Sequence, residues 1–258
     1  MYKEVWKECF ASICAIKFLD YTHNYLGSGT GFKVENFIIT NHHVFMGYLA
    51  AEYIEISFVK EDGNTVSALK RYHKTDFLNM LRDSLPESSW DFAILKLPEK
   101  DFEGIPSLEF SNDQIQIGES TAILGYQFLQ PNLSIKRGII SSLLKEAGVN
   151  KIQIDSSVNK GNSGGPLINL SNKKVIGIVT RKGTGLSDAF GELMKSYDQN
   201  IEYLQKSPAT MIIGDFNPKE ILIINQEQMK RTAREIERSS NVGIGYAYSL
   251  DKVQEFFK

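Results

Sequence analysis

Cysteine is nearly absent from this chain of 258 residues, which holds only Cys9 and Cys14. Two cysteines exclude a disulfide-rich scaffold. With only four scattered histidines beside them, they also exclude any zinc-binding spacing. No metal or cofactor is therefore called for. Long apolar runs are missing too: none approaches the roughly 18–20 residues that a membrane-spanning helix needs. The first ten residues, MYKEVWKECF, lack the basic start and apolar stretch of a secretory signal. Two free thiols and no signal predict a cytoplasmic protein with no membrane contact. An excess of one charge is missing as well. Lys and Arg number 29 against 31 Asp and Glu, a formal net charge of −2. This balance argues against a nucleic-acid partner held by phosphate attraction. No internal repeat or low-complexity tract is present.

Many short β-like runs separated by Gly, Asn and Asp are present instead. Ser12–Leu19, Gly31–Val34, Phe37–Thr40, Ile54–Val59 and Phe92–Leu97 come first. Ser120–Leu124, Ile135–Ile140, Lys151–Ile154, Val175–Thr180 and Gly243–Tyr248 follow. This rhythm predicts an all-β sandwich or barrel. Val5, Trp6 and Phe10 predict a short helix at the start, and Leu250–Phe257 one at the end. Two stretches break the pattern. His73–Ser89 suits a short helix stopping at Pro86. In the segment 183–241, Phe190, Leu193, Tyr197, Ile201 and Leu204 recur at steps of three and four, the stripe of a helix that ends at Pro208. Asn225 with Gln228 offers a capping box for a second helix.

The residues that carry chemistry fall in three places. Gly161-Asn162-Ser163-Gly164-Gly165-Pro166 is a glycine-rich turn that presents a hydroxyl and leaves backbone N–H groups aimed at one point. Such donors hold the oxyanion formed when a hydroxyl attacks a carbonyl. A serine needs a base within reach, and Asn41-His42-His43-Val44 supplies two imidazoles at the end of a strand. An imidazole needs an acceptor to fix its tautomer, and Asp91 opens the apolar strand Phe92–Leu97. His23 and His73 fall in loops and receive no functional role.

In this order and context the segments resemble the trypsin-like serine proteases, most closely the HtrA (DegP) type. Gly27-Ser28-Gly29-Thr30-Gly31-Phe32, Ile38–Val44 and Asp91–Lys96 resemble the first-barrel motifs of that family. Ile117-Gly118-Glu119, Ile123-Leu124-Gly125, Arg137–Ser141 and Ile154–Lys160 resemble those of the second. Val175–Ile178 and Gly243–Ala247 resemble the strands walling its substrate pocket. The resemblance implies two antiparallel six-stranded β-barrels with a C-terminal helix and a helical insertion. It divides the chain into an N-terminal half, 1–110, and a C-terminal half, 111–258, within one protease domain. It implies a serine endopeptidase acting on a protein substrate, with His43, Asp91 and Ser163 as the triad. The amides of Gly161 and Ser163 then form the oxyanion hole. Counting back from Val44 assigns the base to His43 and leaves His42 to packing or to solvent.

Departures from the family matter equally. Val44 replaces a disulfide cysteine of extracellular trypsins. Asn162 replaces the aspartate that pairs with a newly cut N-terminus, so that activation route is closed. The chain ends after its last helix, and no PDZ domain is expected. The pocket positions fall at Ser157, Thr180 and Gly245, with Thr180 also in reach of Asp91. None of the three is charged, which predicts uncharged side chains at the cut site. Arg181 and Lys182 are candidates for the cleft mouth. The insertion at 183–241 stands where the family has a short loop, and it is a candidate gate or surface for a regulatory partner. Two rivals remain: a protease fold retained as a binding or scaffold module without turnover, and an esterase or acyl transferase using the same triad.

Overall fold

The computed structural model describes residues 1–127, 132–180, 185–208, 217–240 and 243–258. Two compact units emerge: Met1–Arg181 with Gly243–Lys258, and the intervening Lys182–Val242. The first unit begins with helix α1 (Tyr2–Cys9) and continues with strands β1 (Ile13–Leu19), β2 (Tyr25–Val34) and β3 (Phe37–Thr40). A single turn, α2 (His42–Phe45), leads to β4 (Tyr53–Val59) and β5 (Val66–His73). Helix α3 (Lys74–Asn79) precedes β6 (Leu81–Leu85) and β7 (Phe92–Lys96). These strands form an antiparallel seven-stranded sheet in the order β5-β4-β1-β2-β3-β7-β6.

The C-terminal half comprises β8 (Ser120–Tyr126), β9 (Leu133–Glu146), β10 (Val149–Asp155), β11 (Pro166–Asn169), β12 (Val175–Thr180) and β13 (Ile244–Ser249). They close into a six-stranded barrel. Two six-stranded barrels were expected. The C-terminal half is such a barrel, whereas the N-terminal ladder is a seven-stranded sheet with β5 and β6 as its edges.

The cores follow from strand alternation. Ile123, Ile140, Ile152, Ile154, Leu167, Ile176 and Val179 fill the closed barrel. Ile16, Ile38, Ile54, Ile56, Phe58 and Phe77 fill the concave side of the N-terminal sheet. A third cluster joins the halves: Phe32, Ile39, Phe92 and Ile94 meet Leu124, Ile168, Ile178 and Val253, the last from the closing helix α6 (Asp251–Phe256). This apolar seam fixes the two halves against each other and so fixes groups contributed by each.

Some local readings change. The stretch 73–89 holds both a helix and β6. The stripe Phe77, Leu78, Leu81 and Leu85 mixes the two periods, and Met80 ends the helix with its N–H bonded to the Phe77 and Leu78 carbonyls. The second unit is a pair of helices, α4 (Gly185–Lys206) and α5 (Pro218–Ser240), linked by the Lys230–Asp198 ion pair. α5 starts well before Asn225. Pro218 occupies its first position, and Asn217 Oδ1 accepts the Lys219 N–H at 3.1 Å. Asn225 lies inside the helix and caps nothing. No helix of the described residues is long and apolar enough to cross a membrane.

Candidate active site

Asp91 is fully buried at the entrance to β7 and adopts φ +41°, a left-handed conformation that Asp tolerates better than most residues. Asn41 holds the bend by donating its side-chain N–H to the Asp91 carbonyl at 2.8 Å. The carboxylate thereby turns toward the first turn of α2. The His43 backbone N–H donates to Asp91 Oδ1 at 3.0 Å, and His43 Nδ1 lies 2.8 Å from Asp91 Oδ2. The Thr180 hydroxyl, from the other half of the fold, donates to Oδ2 at 3.2 Å. Three donors thus converge on one buried carboxylate. A carboxylate only accepts, so the ring proton sits on Nδ1 and the lone pair on Nε2. The His43 side chain is one-third exposed.

His42, its neighbour, is excluded from this arrangement. Its ring packs beside Phe45, and its buried Nδ1 has no hydrogen-bond partner. His73 caps α3 and pairs with Glu52, and His23 packs on Tyr53. These three serve local structure.

Ser163 is buried in the turn before β11. The turn is tied to itself, because the Asn159 N–H donates to Asn162 Oδ1 and the Asn162 N–H to the Asn159 carbonyl. Two glycines make it possible. Gly161 has φ +93°, and a Cβ there would lie 2.0 Å from the Tyr126 carbonyl oxygen. Gly164 has φ +86°, with the Thr30 carbonyl oxygen at 2.1 Å and Thr40 Oγ1 at 2.2 Å from where its Cβ would lie. No L side chain fits either place. The same close approach sets the serine turn against Thr40 and Asn41, directly before the two histidines. Among the described residues, no acceptor takes the backbone N–H of Gly161 or of Ser163.

Thr30 joins the two halves here. Its hydroxyl donates to the Gly161 carbonyl at 2.5 Å and accepts the Tyr126 N–H at 3.0 Å. Its own N–H donates to the Ser163 carbonyl at 2.9 Å. Thr30 carried no role in the sequence reading, although it lies inside the glycine-flanked motif singled out there.

The three positions expected to wall a pocket, Ser157, Thr180 and Gly245, make the following contacts. Ser157 Oγ accepts the Gly243 N–H at 2.8 Å. A Cβ on Gly245 would lie 2.4 Å from Val158 Cγ2 and 2.7 Å from the Ser156 carbonyl, so its strand packs directly on that wall. Thr180 commits its hydroxyl to Asp91. Arg181 and Lys182 lie outside the described residues. A charged group absent from the sequence reading is also here: Lys136 Nζ donates to the Ser157 carbonyl at 2.9 Å. Lys136, Gly138 and Ile140 share one face of β9, and Ile140 is core.

Comparison with known proteins agrees with this geometry. Residues 27–178 match the trypsin-like peptidase domain. The chain belongs to this family. A probable periplasmic serine endoprotease, DegP-like, of Rickettsia prowazekii is 33% identical over 194 residues, covering 70% of this chain and 34% of that protein. The serine protease Do-like HtrA of Bacillus subtilis is 32% identical over 170 residues, covering 60% of this chain and 33% of its own length. The chain thus spans about a third of the length of these relatives. Among solved structures, the serine endoprotease from Yersinia pestis superposes with a TM-score of 0.53 at 23% identity, covering 70% of this chain and 57% of that one. An HtrA-type protease solved with a tripeptide gives 0.54 at 23% identity, covering 70% and 54%. These two likenesses carry the trypsin-like fold.

The relatives overturn the cytoplasmic expectation. Those of Rickettsia prowazekii, Chlamydia trachomatis and Pseudomonas fulva are named probable periplasmic serine endoproteases, pointing to the periplasm or the extracellular space. The error lay in reading compartment from cysteine scarcity. Both thiols are free and buried in apolar clusters, and such a core needs no disulfide in either compartment.

Proposed function

We propose that the protein is a serine endopeptidase that hydrolyses peptide bonds of a protein substrate through an acyl-enzyme. The observation that carries this reading is the convergence of His43 and Thr180 on the buried Asp91 carboxylate, beside a serine turn with two amides that no acceptor among the described residues takes. Asp91 holds the imidazole in the tautomer whose Nε2 accepts a proton. In the proposed cycle, His43 takes the Ser163 proton as the oxygen attacks the substrate carbonyl. The amides of Gly161 and Ser163 receive the developing negative charge. The imidazolium then protonates the leaving amine, whose departure leaves an acyl ester on Ser163. Water, deprotonated by His43, releases the acid and restores the serine.

In this reading residues 1–110 and 111–258 are two halves of one catalytic unit. The N-terminal half supplies the base and acid, and the C-terminal half the nucleophile. We read the N-terminal sheet as a barrel with a seam open between β5 and β6, because side chains from β1, β3, β4, β5 and β7 share one core. Ser157, Thr180 and Gly245 wall the pocket for the side chain preceding the cut. The helical unit is the candidate surface for a regulatory partner or the substrate. Ile221, Leu222, Ile224, Met229 and Ile236 stand exposed on α5, which supports a recognition role.

Reaction with a fluorophosphonate probe tests the central claim. Stoichiometric labelling of Ser163, abolished by Ser163→Ala, is the expected result. Absence of labelling in the folded chain would instead favour a scaffold without turnover. Hydrolysis of simple esters without peptides would favour the esterase.

A further inference from the structure

Strand register places a cation at the candidate specificity pocket. On β8, Ile123 points into the closed barrel, whereas Leu124 joins the seam between the halves. Ile123 pairs with Lys136 and Leu124 with Ile135 across the β8–β9 ladder. Residues directly opposite in an antiparallel pair share a face. Lys136 therefore stands on the inward row of β9, in line with Gly138 and Ile140. Gly138 confirms the direction, since a Cβ there would meet Ile154 Cγ2 at 2.7 Å and Ser156 Cβ at 3.1 Å. Ile135 and the exposed Arg137 lie on the other row.

The Lys136 ammonium reaches the carbonyl of Ser157, six positions before Ser163. One of its three N–H groups is engaged there, which leaves two for another acceptor. No carboxylate of the described residues forms an ion pair with it. Across the ladder it faces Ile123 of the barrel core. Partial burial disfavours the charge and pushes the ammonium below the usual lysine range. A half-buried cation without a counter-ion costs stability, and an incoming anion would offset that cost.

We propose that Lys136 makes this a pocket for acidic side chains, so that the enzyme cuts after glutamate or aspartate. The inference rests on the hydrolase reading above, with Ser163 as nucleophile. The substrate carboxylate bonds the two remaining ammonium protons. A neutral isostere leaves the ammonium as it was, so selection against glutamine is the signature.

The test compares fluorogenic tetrapeptide mixtures with Glu or Gln before the scissile bond, on the full chain and on its Lys136→Met and Lys136→Arg variants. Dye-labelled tetrapeptide acids ending in Glu or Gln are titrated in parallel against Ser163→Ala, and against Ser163→Ala carrying Lys136→Met, since binding needs no turnover. Expected is a Glu preference of about 30-fold or more in kcat/KM. Lys136→Met should lose it, Lys136→Arg keep it, and thermal unfolding should show the Met variant folded. Turnover with equal Glu and Gln rates, or a Glu preference surviving Lys136→Met, overturns the inference. Glu-selective binding to Ser163→Ala without any turnover in the native chain overturns the hydrolase reading and leaves the acidic pocket standing. Neither turnover nor selective binding overturns both.

Discussion

Thr30 and Gly161 are separated by 131 positions, yet the threonine hydroxyl donates to the glycine carbonyl at 2.5 Å in a fully buried contact. The two residues belong to opposite halves. Through this bond a strand of the N-terminal sheet orients the peptide unit that follows Gly161, within the serine turn. The same hydroxyl accepts the Tyr126 N–H, so one side chain satisfies two buried backbone groups that would otherwise have no partner.

Thr30→Val keeps the shape and strands both groups. The expected loss is about 1–3 kcal/mol of stability. Fluorophosphonate labelling should slow by more than the fall in folded fraction explains, because the turn that carries the nucleophile is released. Denaturant melts measured beside labelling rates separate the two effects. Unchanged labelling in a folded Thr30→Val protein would remove Thr30 from the positioning role.

The triad gives a sharper set of expectations. Ser163→Ala and His43→Ala should each lower turnover by about 10⁴–10⁶, because the members act as a unit. His42→Ala should be mild, since that ring only packs near Phe45. Loss of activity from His42→Ala alone would reverse the histidine assignment.

Asp91→Asn separates geometry from charge. Asparagine also tolerates a positive φ, so the fold should persist. The amide can donate to Nδ1 and stabilise the wrong imidazole tautomer, and turnover should fall by about 10⁴. Asp91→Leu, by contrast, places a bulky side chain in the same left-handed conformation and should unfold readily. Circular dichroism and peptide hydrolysis on the two variants check both statements.

The thiols should be silent in the native protein. Burial pushes Cys9 up to about 11 and Cys14 higher still, so neither forms appreciable thiolate at pH 8. A chromogenic disulfide reagent should titrate none natively and two after denaturation, with or without prior reductant. Fewer than two thiols in the denatured, unreduced chain would reveal a disulfide.

Lys136 should carry a pH signature. Its ammonium is held below the ordinary lysine range by burial, and discrimination of Glu from Gln depends on that charge. It should be lost on the alkaline side earlier than for an exposed lysine. The stability effect has a definite sign. Folding disfavours the protonated form, so this group subtracts stability at all pH values below its folded pKa. The penalty fades as pH rises from there toward the unfolded value. Lys136→Met should therefore melt at a higher temperature at pH 7.

Much of this was legible in the sequence because local chemistry dictates it. Val175–Thr180 reads as a strand from its apolar run, and Gly161 and Gly164 announce a turn no other residue can make. β5, β6 and β11 were not legible for equally physical reasons. β5 is an exposed edge rich in Lys, Arg and His, and β11 holds only four residues, Pro166–Asn169, directly after the serine turn. Thr30 and Lys136 escaped for a different cause. Their importance lies in partners far along the chain, at Gly161 and Ser157, and only the folded register brings these together.

β12 ends at Thr180, β13 begins at Ile244, and Thr180 pairs with Tyr246 across the ladder. The chain that leaves the barrel for Lys182–Val242 therefore returns through a neck already cinched by strand pairing. Lengthening a loop closed in this way is cheap, about 0.6 kcal/mol for each doubling. The barrel thus treats everything beyond the neck as a cassette. Its sequence and length can be exchanged without rewriting the hydrogen-bond pattern that holds Thr180 against Asp91.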